Sequence, residues 1–126
     1  MSNITKILIV DDHPGMLSAV SMLLRDVFPH CTLLVASNAK LAVALSKKHA
    51  PEIVILDIFL PDMSGIDAIA LIQAAVPGVK IVMHSSHDSQ SYRIKAALAG
   101  ADAFIAKKRS GSELPPLLAQ ILAEFV

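Results

Sequence analysis

Cysteine is scarce in this chain of 126 residues, and tryptophan is missing altogether. The single cysteine, Cys31, cannot form an intramolecular disulfide or a cysteine-rich metal site, because either needs a second thiol. Lysine plus arginine and aspartate plus glutamate both total 11, so the formal net charge is zero. No excess of positive charge draws the chain to a phosphate backbone, and we expect no direct binding of nucleic acid.

Long hydrophobic runs are missing as well. A helix needs about 18 or more consecutive apolar residues to cross a bilayer, and the sequence has no such run. Residues Met1 to Lys6 lack the apolar core of a signal peptide. These absences predict a cytoplasmic protein that does not enter a membrane. Hydrophobic residues still make up 54% of the chain, and we expect one compact domain over residues 1–126.

Five short apolar runs are typical of β-strands, and the clearest one lies between Ile53 and Leu56, directly before Asp57. Its residues do not alternate with polar ones, which indicates a strand of a parallel sheet that is buried on both faces. The other four runs extend from Lys6 to Val10, from Thr32 to Ala36, from Lys80 to Met83 and from Ala103 to Ala106.

Apolar residues recur at helical spacing after each of these runs. The stripes include Leu17, Val20 and Leu24; Leu41, Ala42 and Leu45; Ile66, Ile69 and Ile72; a segment that ends at Gly100; and Leu117, Leu118, Ile121, Leu122 and Phe125. Strand and helix therefore alternate five times. This order predicts an α/β fold, a doubly wound five-stranded parallel sheet with helices on both faces and right-handed crossovers.

Two adjacent prolines, Pro115 and Pro116, mark the start of the last predicted helix. Proline has no amide hydrogen and disfavours the helical conformation in the residue before it. We therefore expect the regular helix to begin near Pro116, with Leu114 and Pro115 outside it. A helix this short depends on packing for its stability, and we expect part of its apolar stripe to join two copies in a homodimer.

Polar side chains follow four of the predicted strands at the points where the strands end. Asp11 and Asp12 follow the first strand, Asp57 the third, Ser85 the fourth and Lys107 the fifth. The carboxyl ends of parallel strands meet at one edge of a sheet, where ligands bind. Neighbouring carboxylates favour a hard divalent cation such as Mg²⁺. A hydroxyl and an ammonium group supply the hydrogen-bond donor and the positive charge that a phosphoryl group on Asp57 needs.

In the identity and order of these motifs, the chain resembles the receiver domain of two-component response regulators from end to end. The resemblance rests on Asp11-Asp12, on Asp57 with Pro61 and Gly65 downstream, on Ser85, and on Gly100-Ala101-Asp102-Ala103-Phe104 ahead of Lys107. It implies the flavodoxin-like strand order 2-1-3-4-5. It also implies a signalling module that is not an enzyme, except that it catalyses its own phosphorylation and dephosphorylation. His13-Pro14 is similar to the branch that often carries a C-terminal helix-turn-helix.

The resemblance implies that Asp57 is the phosphoacceptor. Its phosphoryl group comes from a histidine kinase or a phosphotransfer protein in a Mg²⁺-dependent reaction, and the changed surface then alters partner binding. By the same resemblance, Asp12, Asp57 and the backbone carbonyl of Phe59 bind Mg²⁺, and Asp11 contributes through water. The bulk of Phe59 beside the phosphoryl group is expected to change how readily water attacks that group.

The resemblance also assigns Ser85 as the switch hydroxyl, Lys107 as the partner of the phosphoryl group and Phe104 as the rotating aromatic residue. Phenylalanine stands at this last position where tyrosine is commoner, so no hydroxyl fixes the ring. Lys108 follows Lys107 where many members of the family have proline. Since a cis bond before a non-proline residue costs about 2.5–4 kcal/mol, we expect this peptide bond to be trans.

Two other functions remain open at the level of sequence. A flavodoxin-like or nucleotide-binding module on the same sheet needs a loop rich in serine, threonine or glycine after the first strand, and the anionic segment Asp11-Asp12-His13 argues against it. A receiver that serves as a constitutive, phosphorylation-independent interaction module would retain all the site residues.

Three histidines, His13, His84 and His87, fall close to the predicted site in the sequence. Histidine is a common ligand of transition metals, but neither a helical histidine spacing nor a second cysteine accompanies these residues. We therefore interpret all three as loop residues.

Overall fold

The computed structural model describes residues 5–125, which form a five-stranded parallel sheet flanked by helices. The elements are β1 (Lys6–Val10), α1 (Pro14–Val27), β2 (Thr32–Ala36), α2 (Ala39–His49), β3 (Ile53–Leu56), α3 (Gly65–Ala75), β4 (Lys80–Ser85), α4 (Gln90–Ala99), β5 (Ala103–Ala106), a 3₁₀ turn (Lys107–Arg109) and α5 (Ser110–Ala123). The strand order is β2-β1-β3-β4-β5, and every neighbouring pair is parallel. The predicted fold class and strand order are therefore confirmed. Within residues 5–125, no helix combines the length and the apolar character needed to span a membrane.

The strands lack alternation because successive side chains enter two different cores. Leu8 and Val54 point to one face of the sheet, where they pack with buried residues of α2, α3 and α4. Ile9 and Ile55 point to the other face, where they pack with α1 and α5. Since both faces are covered, each position of β3 and each position of β1 after Lys6 is apolar and buried, as in parallel sheets generally. The double cover buries the faces of β1 and β3, so a ligand reaches these central strands at their ends.

Polar residues and a glycine define the ends of α2 and α4, and Gly100 ends α4 as the sequence predicts. The side chain of Asn38 accepts a hydrogen bond from the amide of Leu41 at the start of α2. Ser89 is the N-cap of α4, and Gly100 ends that helix in the left-handed conformation with φ of 110°. Local start and stop signals of this kind set the length of each helix.

A carboxylate from a distant loop also caps α2. Asp62 follows β3, and its two carboxylate oxygens accept hydrogen bonds from the amides of Ala39 and Lys40, at 2.9 and 2.8 Å. These hydrogen bonds hold the pKa of Asp62 below its usual range. The loop that leaves the end of β3 is thereby fixed to the neighbouring helix.

The start of the last helix differs from the prediction. α5 begins at Ser110 instead of near Pro116, and both prolines lie inside it. Leu114, expected outside the helix, is helical and completely buried, one turn before the buried Leu118. The helical path thus places a large apolar side chain in the core, and this burial offsets the cost of the prolines. The local proline rule was wrong because it takes no account of tertiary packing.

The two prolines leave two backbone carbonyls of the preceding turn without an amide partner. These carbonyls belong to residues 111 and 112, which are exposed, so water can bind them.

The apolar stripe predicted for the last helix packs mainly inside the domain. Leu118 and Ile121 are buried, and of the five residues of the stripe only Phe125 is exposed. The homodimer expected from the sequence stays a prediction.

Replacing Pro116 by alanine should stabilise the protein. Pro116→Ala restores an amide hydrogen at an exposed position inside α5, and alanine is favoured over proline in a helix interior by about 3 kcal/mol. We expect a gain of about 1–3 kcal/mol in the free energy of unfolding, measured in urea. Pro77→Ala, at an exposed proline outside the helices, is the control and should give no gain. Equal effects of the two substitutions would contradict the helical placement of Pro116.

Candidate functional site

The ends of β1, β3 and β5 bring three charged groups into contact. The Nζ atom of Lys107 lies 2.8 Å from Oδ2 of Asp11 and 2.8 Å from Oδ2 of Asp57. The side chains of both acids are at most 5% exposed, and that of Lys107 is 10% exposed. One buried ammonium group therefore bridges two buried carboxylates that would otherwise repel each other.

This bridge sets the charges of Asp11 and Lys107. Burial by itself raises the pKa of Asp11, but hydrogen bonds from Lys107 and His13 outweigh burial and bring the pKa below its usual value. Burial by itself lowers the pKa of Lys107, but the hydrogen bonds to Asp11 and Asp57 outweigh it and the pKa is raised. Asp11 is thus an anion and Lys107 a cation at neutral pH.

The backbone around Asp57 is held from two sides. The amide of Asp57 donates to the carbonyl of Val10 in the neighbouring strand, at 3.0 Å, and the Oδ1 atom of Asp57 accepts from the amide of Ile58 at 2.8 Å. α3 begins against this segment at Gly65, where a Cβ atom would lie 1.8 Å from the carbonyl oxygen of Asp57. Glycine is required at residue 65 because any side chain collides with the backbone that carries the carboxylate.

Four neighbouring residues have donor atoms arranged so that they can hold a metal ion. One ligand atom each of Asp11, Asp12, His13 and Asp57 lies within 4.8 Å of all the others. Carboxylate oxygens are the donors that Mg²⁺ prefers, together with carbonyl oxygens and water. Phe59, whose carbonyl completes the predicted ligand set, lies in the same loop two residues beyond Asp57. The donor set fits the predicted Mg²⁺ site.

Ser85 lies at the end of β4, and Phe104 lies within the neighbouring strand β5. Ser85 is completely buried at the end of β4, in register with Ala106, the residue before Lys107. Its Oγ atom accepts a hydrogen bond from the amide of His87 at 3.1 Å. Phe104 is half-buried on β5, and the guanidinium carbon of Arg93 lies 4.6 Å from the centre of its ring. The peptide bonds of the described residues, including the bond after Lys107, are all trans, as expected.

One of the three histidines is not a loop residue. His84 lies inside β4, is 2% exposed and forms a hydrogen bond through Nε2 with the hydroxyl of Ser110. That hydroxyl donates its hydrogen to the backbone carbonyl of Lys107 at 2.7 Å, so Nε2 of His84 must be the donor in the other bond. Burial, and then the charge of Lys107, lower the pKa of His84. The neutral imidazole of His84 on β4 therefore holds the hydroxyl of Ser110, and that hydroxyl holds the backbone carbonyl of Lys107.

The other two histidines take separate positions at the site. The side chain of His13 faces Asp11 and Asp12. His87 is exposed and packs on Phe59, with ring centres 4.3 Å apart, and the ring of Tyr92 lies 5.6 Å from that of Phe59. These three rings connect the loop after Asp57 to the start of α4.

Substitutions at two glycines test the close approach of α3 to Asp57. Gly65→Ala should destabilise the protein, because overpacking a rigid contact costs about 1–3 kcal/mol. Gly111→Ala is the matched control, since a Cβ atom at this helical position meets nothing within 4 Å. The control should gain about 0.5–1 kcal/mol from the helix preference of alanine. Urea unfolding of both variants measures the difference, and a stable Gly65→Ala protein would contradict the contact.

The lowered pKa of His84 predicts a loss of stability in acid. The unfolded chain binds a proton near pH 6.5 that the folded protein resists, so this histidine makes stability fall as the pH drops below about 6.5. His84→Gln should make the dependence shallower by at most about 1.4 kcal/mol per pH unit. Urea unfolding from about pH 8 to about pH 5 measures it. His30→Gln, at an exposed histidine, is the control, and equal slopes for the two variants would refute the prediction.

Comparison with known proteins identifies the family of the chain. Residues 7–119 match the family model of the response regulator receiver domain. The chemotaxis protein CheY of Thermotoga maritima is 39% identical over 105 residues, which cover 81% of this chain and 84% of that protein. The probable transcriptional regulatory protein TcrX of Mycobacterium tuberculosis is 32% identical over 108 residues, which cover 86% of this chain and 45% of TcrX.

A solved structure extends the agreement to the fold. The crystal structure of a CheY-like response regulator receiver domain protein from Methanospirillum hungatei JF-1 superposes with a TM-score of 0.88 at 28% identity, over 97% of this chain and 96% of that one. The chain spans about half the length of the transcriptional regulators that it matches, with 45%, 51% and 58% coverage for three of them. Receiver domains are signalling modules and generally not enzymes in the usual sense. The resemblance seen in the sequence is thus confirmed, and the chain belongs to the response regulator receiver domain family.

Proposed function

We propose that this chain is a phosphorylation switch in which Asp57 accepts a phosphoryl group from a histidine kinase or a phosphotransfer protein. The observation that carries the proposal is the contact of Lys107 with Asp57 and Asp11, at 2.8 Å each. It puts a fixed positive charge at the acceptor carboxylate before any phosphoryl group arrives. Membership of the receiver family supports the same function.

The transfer forms a bond between a carboxylate oxygen of Asp57 and phosphorus, and it breaks the bond from phosphorus to the donor nitrogen. Lys107 can pair with the oxygens of the transferred group, because its ammonium is already desolvated and anchored by Asp11. The carboxylates of Asp11, Asp12 and Asp57 and the carbonyl of Phe59 would hold Mg²⁺. When bound, the ion supplies charge neutralisation for the acids and the phosphoryl oxygens. The chain would catalyse this reaction and the later hydrolysis on itself alone.

Ser85 is placed to respond to the modification. Its Oγ atom accepts a hydrogen bond from His87, which leaves its own hydrogen free to donate to a phosphoryl oxygen. Arg93 covers the ring of Phe104, and its Nε atom also donates to the carbonyl of Asp88, at 3.1 Å. Because Arg93 contacts both the loop after Ser85 and the ring of Phe104, a shift of that loop would change the surroundings of Phe104. The surface that α4 and β5 present to a binding partner would then change.

A constitutive, phosphorylation-independent interaction module remains the alternative, and it would need none of the charges at the site. A nucleotide-binding module is disfavoured further, because Asp11 has a lowered pKa and remains an anion at the end of β1. The cytoplasmic location and the absence of direct nucleic acid binding remain predictions.

Incubation with acetyl phosphate and Mg²⁺ should add one phosphoryl group to the protein, as measured by intact mass. Asp57→Asn should add none, because the carboxylate nucleophile is gone.

Lys107→Ala should still be phosphorylated, but the phosphorylation-dependent changes in amide NMR signals over residues 85–107 should be lost. Failure of the unmodified protein to gain mass would favour the constitutive module, and intact signal changes in Lys107→Ala would contradict the role of the lysine.

A further inference from the structure

We infer that His13 is a ligand of the metal site in this chain and that its Nδ1 atom makes the site favour a transition-metal dication over Mg²⁺. The inference rests on the proposed function, because it concerns the metal site of that function. It adds a nitrogen donor to a ligand set that otherwise consists of oxygen atoms.

The geometry places the imidazole among the acids. The Nδ1 atom of His13 lies 2.9 Å from Oδ1 of Asp11 and 3.2 Å from Oδ1 of Asp12. With a carboxylate oxygen of Asp57, the four donor atoms all lie within 4.8 Å of one another. Metal-to-ligand bonds of about 2.1 Å put opposite ligands of an octahedral ion about 4.2 Å apart. A contraction of a few tenths of an ångström therefore brings all four atoms to bonding distance.

The backbone of His13 is held in the conformation that presents this ring. Pro14 follows it, which restricts His13 to extended angles, and the observed φ and ψ are −94° and 108°. The amide of His13 donates to Oδ1 of Asp11 at 2.9 Å. As the N-cap residue of α1 it makes no capping hydrogen bond through its side chain. The ring is therefore not needed for the helix. Its Nδ1 atom donates a hydrogen to Oδ1 of Asp11, and a bound dication would replace that hydrogen while the neutral ring takes up a proton at Nε2 instead.

The other two histidines at this edge have different partners. Nε2 of His84 is bound to Ser110 inside the domain, and His87 packs against Phe59. Neither belongs to the group of donor atoms formed by the acids and His13. His13, which follows Asp12 in the sequence, is thus the histidine whose ring nitrogen lies among the carboxylate oxygens.

A nitrogen donor changes the metal preference of the site. Mg²⁺ prefers oxygen ligands and keeps several water molecules, whereas imidazole is a good ligand for the later first-row metals. Co²⁺ accepts octahedral geometry with mixed nitrogen and oxygen donors and is paramagnetic, so it serves as the probe. The contribution of His13 should appear in the binding of Co²⁺ and not in that of Mg²⁺.

Calorimetric titration with Co²⁺ and with Mg²⁺ tests the inference on the full chain. His13→Ala should lower the ratio of the Co²⁺ to the Mg²⁺ association constant by about tenfold or more. The ratio is the informative quantity, because a general change in the structure of the site would alter both constants together. His87→Ala removes the other exposed imidazole at this edge and should leave the ratio unchanged.

Proton NMR of the Co²⁺-loaded protein gives a direct readout of the nitrogen ligand. We expect strongly shifted ring signals from one histidine, present in His87→Ala and lost in His13→Ala. An unchanged affinity ratio in His13→Ala, or shifted signals that survive in it, would overturn the inference while the metal site stands. Asp12→Ala should weaken both metals, and unchanged binding of both in that variant would instead show that the proposed site itself is wrong.

Discussion

The salt bridge of Lys107 with Asp11 and Asp57 is the interaction on which the rest of the site depends. Removing charges from water costs several kcal/mol each, so two buried carboxylates are tolerated only beside an opposite charge with good geometry. That geometry needs the ends of β1, β3 and β5 at one edge. The parallel sheet with β1 next to β3 supplies it, and Gly65 lets α3 pack close enough to keep the end of β3 in place.

The sequence predicted most of the fold because its signals are local. An apolar run without alternation identifies a buried strand, and a capping side chain or a glycine identifies the end of a helix. The start of α5 could not be found in this way. The preference of Pro115 and Pro116 is a local property, whereas the burial of Leu114 is decided by helices and strands distant in the chain. Tertiary packing prevailed over the backbone preference of the prolines.

The same distinction explains which parts of the candidate site were predicted. Asp57 and Lys107 stand at strand ends, and a parallel sheet brings those ends together whatever the side chains do. His84 was misread as a loop residue because its partner, Ser110, is 26 residues away and a histidine within a strand gives no sign of that bond. Asp62 was missed for a similar reason, since the helix that it caps begins 23 residues earlier in the chain.

Lys107 contacts the acids of the site through its side chain and contacts Ser110 through its backbone. Under the proposed function, these two contacts link the site to the rest of the domain. Its ammonium contacts the two carboxylates, while its backbone carbonyl accepts the hydrogen bond from Ser110, which is held in turn by His84. Ser110 is also the first residue of α5. A movement of Lys107 toward a phosphoryl group would therefore pull on the start of α5 as well as on the end of β5. The neutral state of His84 keeps this connection free of a second positive charge beside the ammonium group.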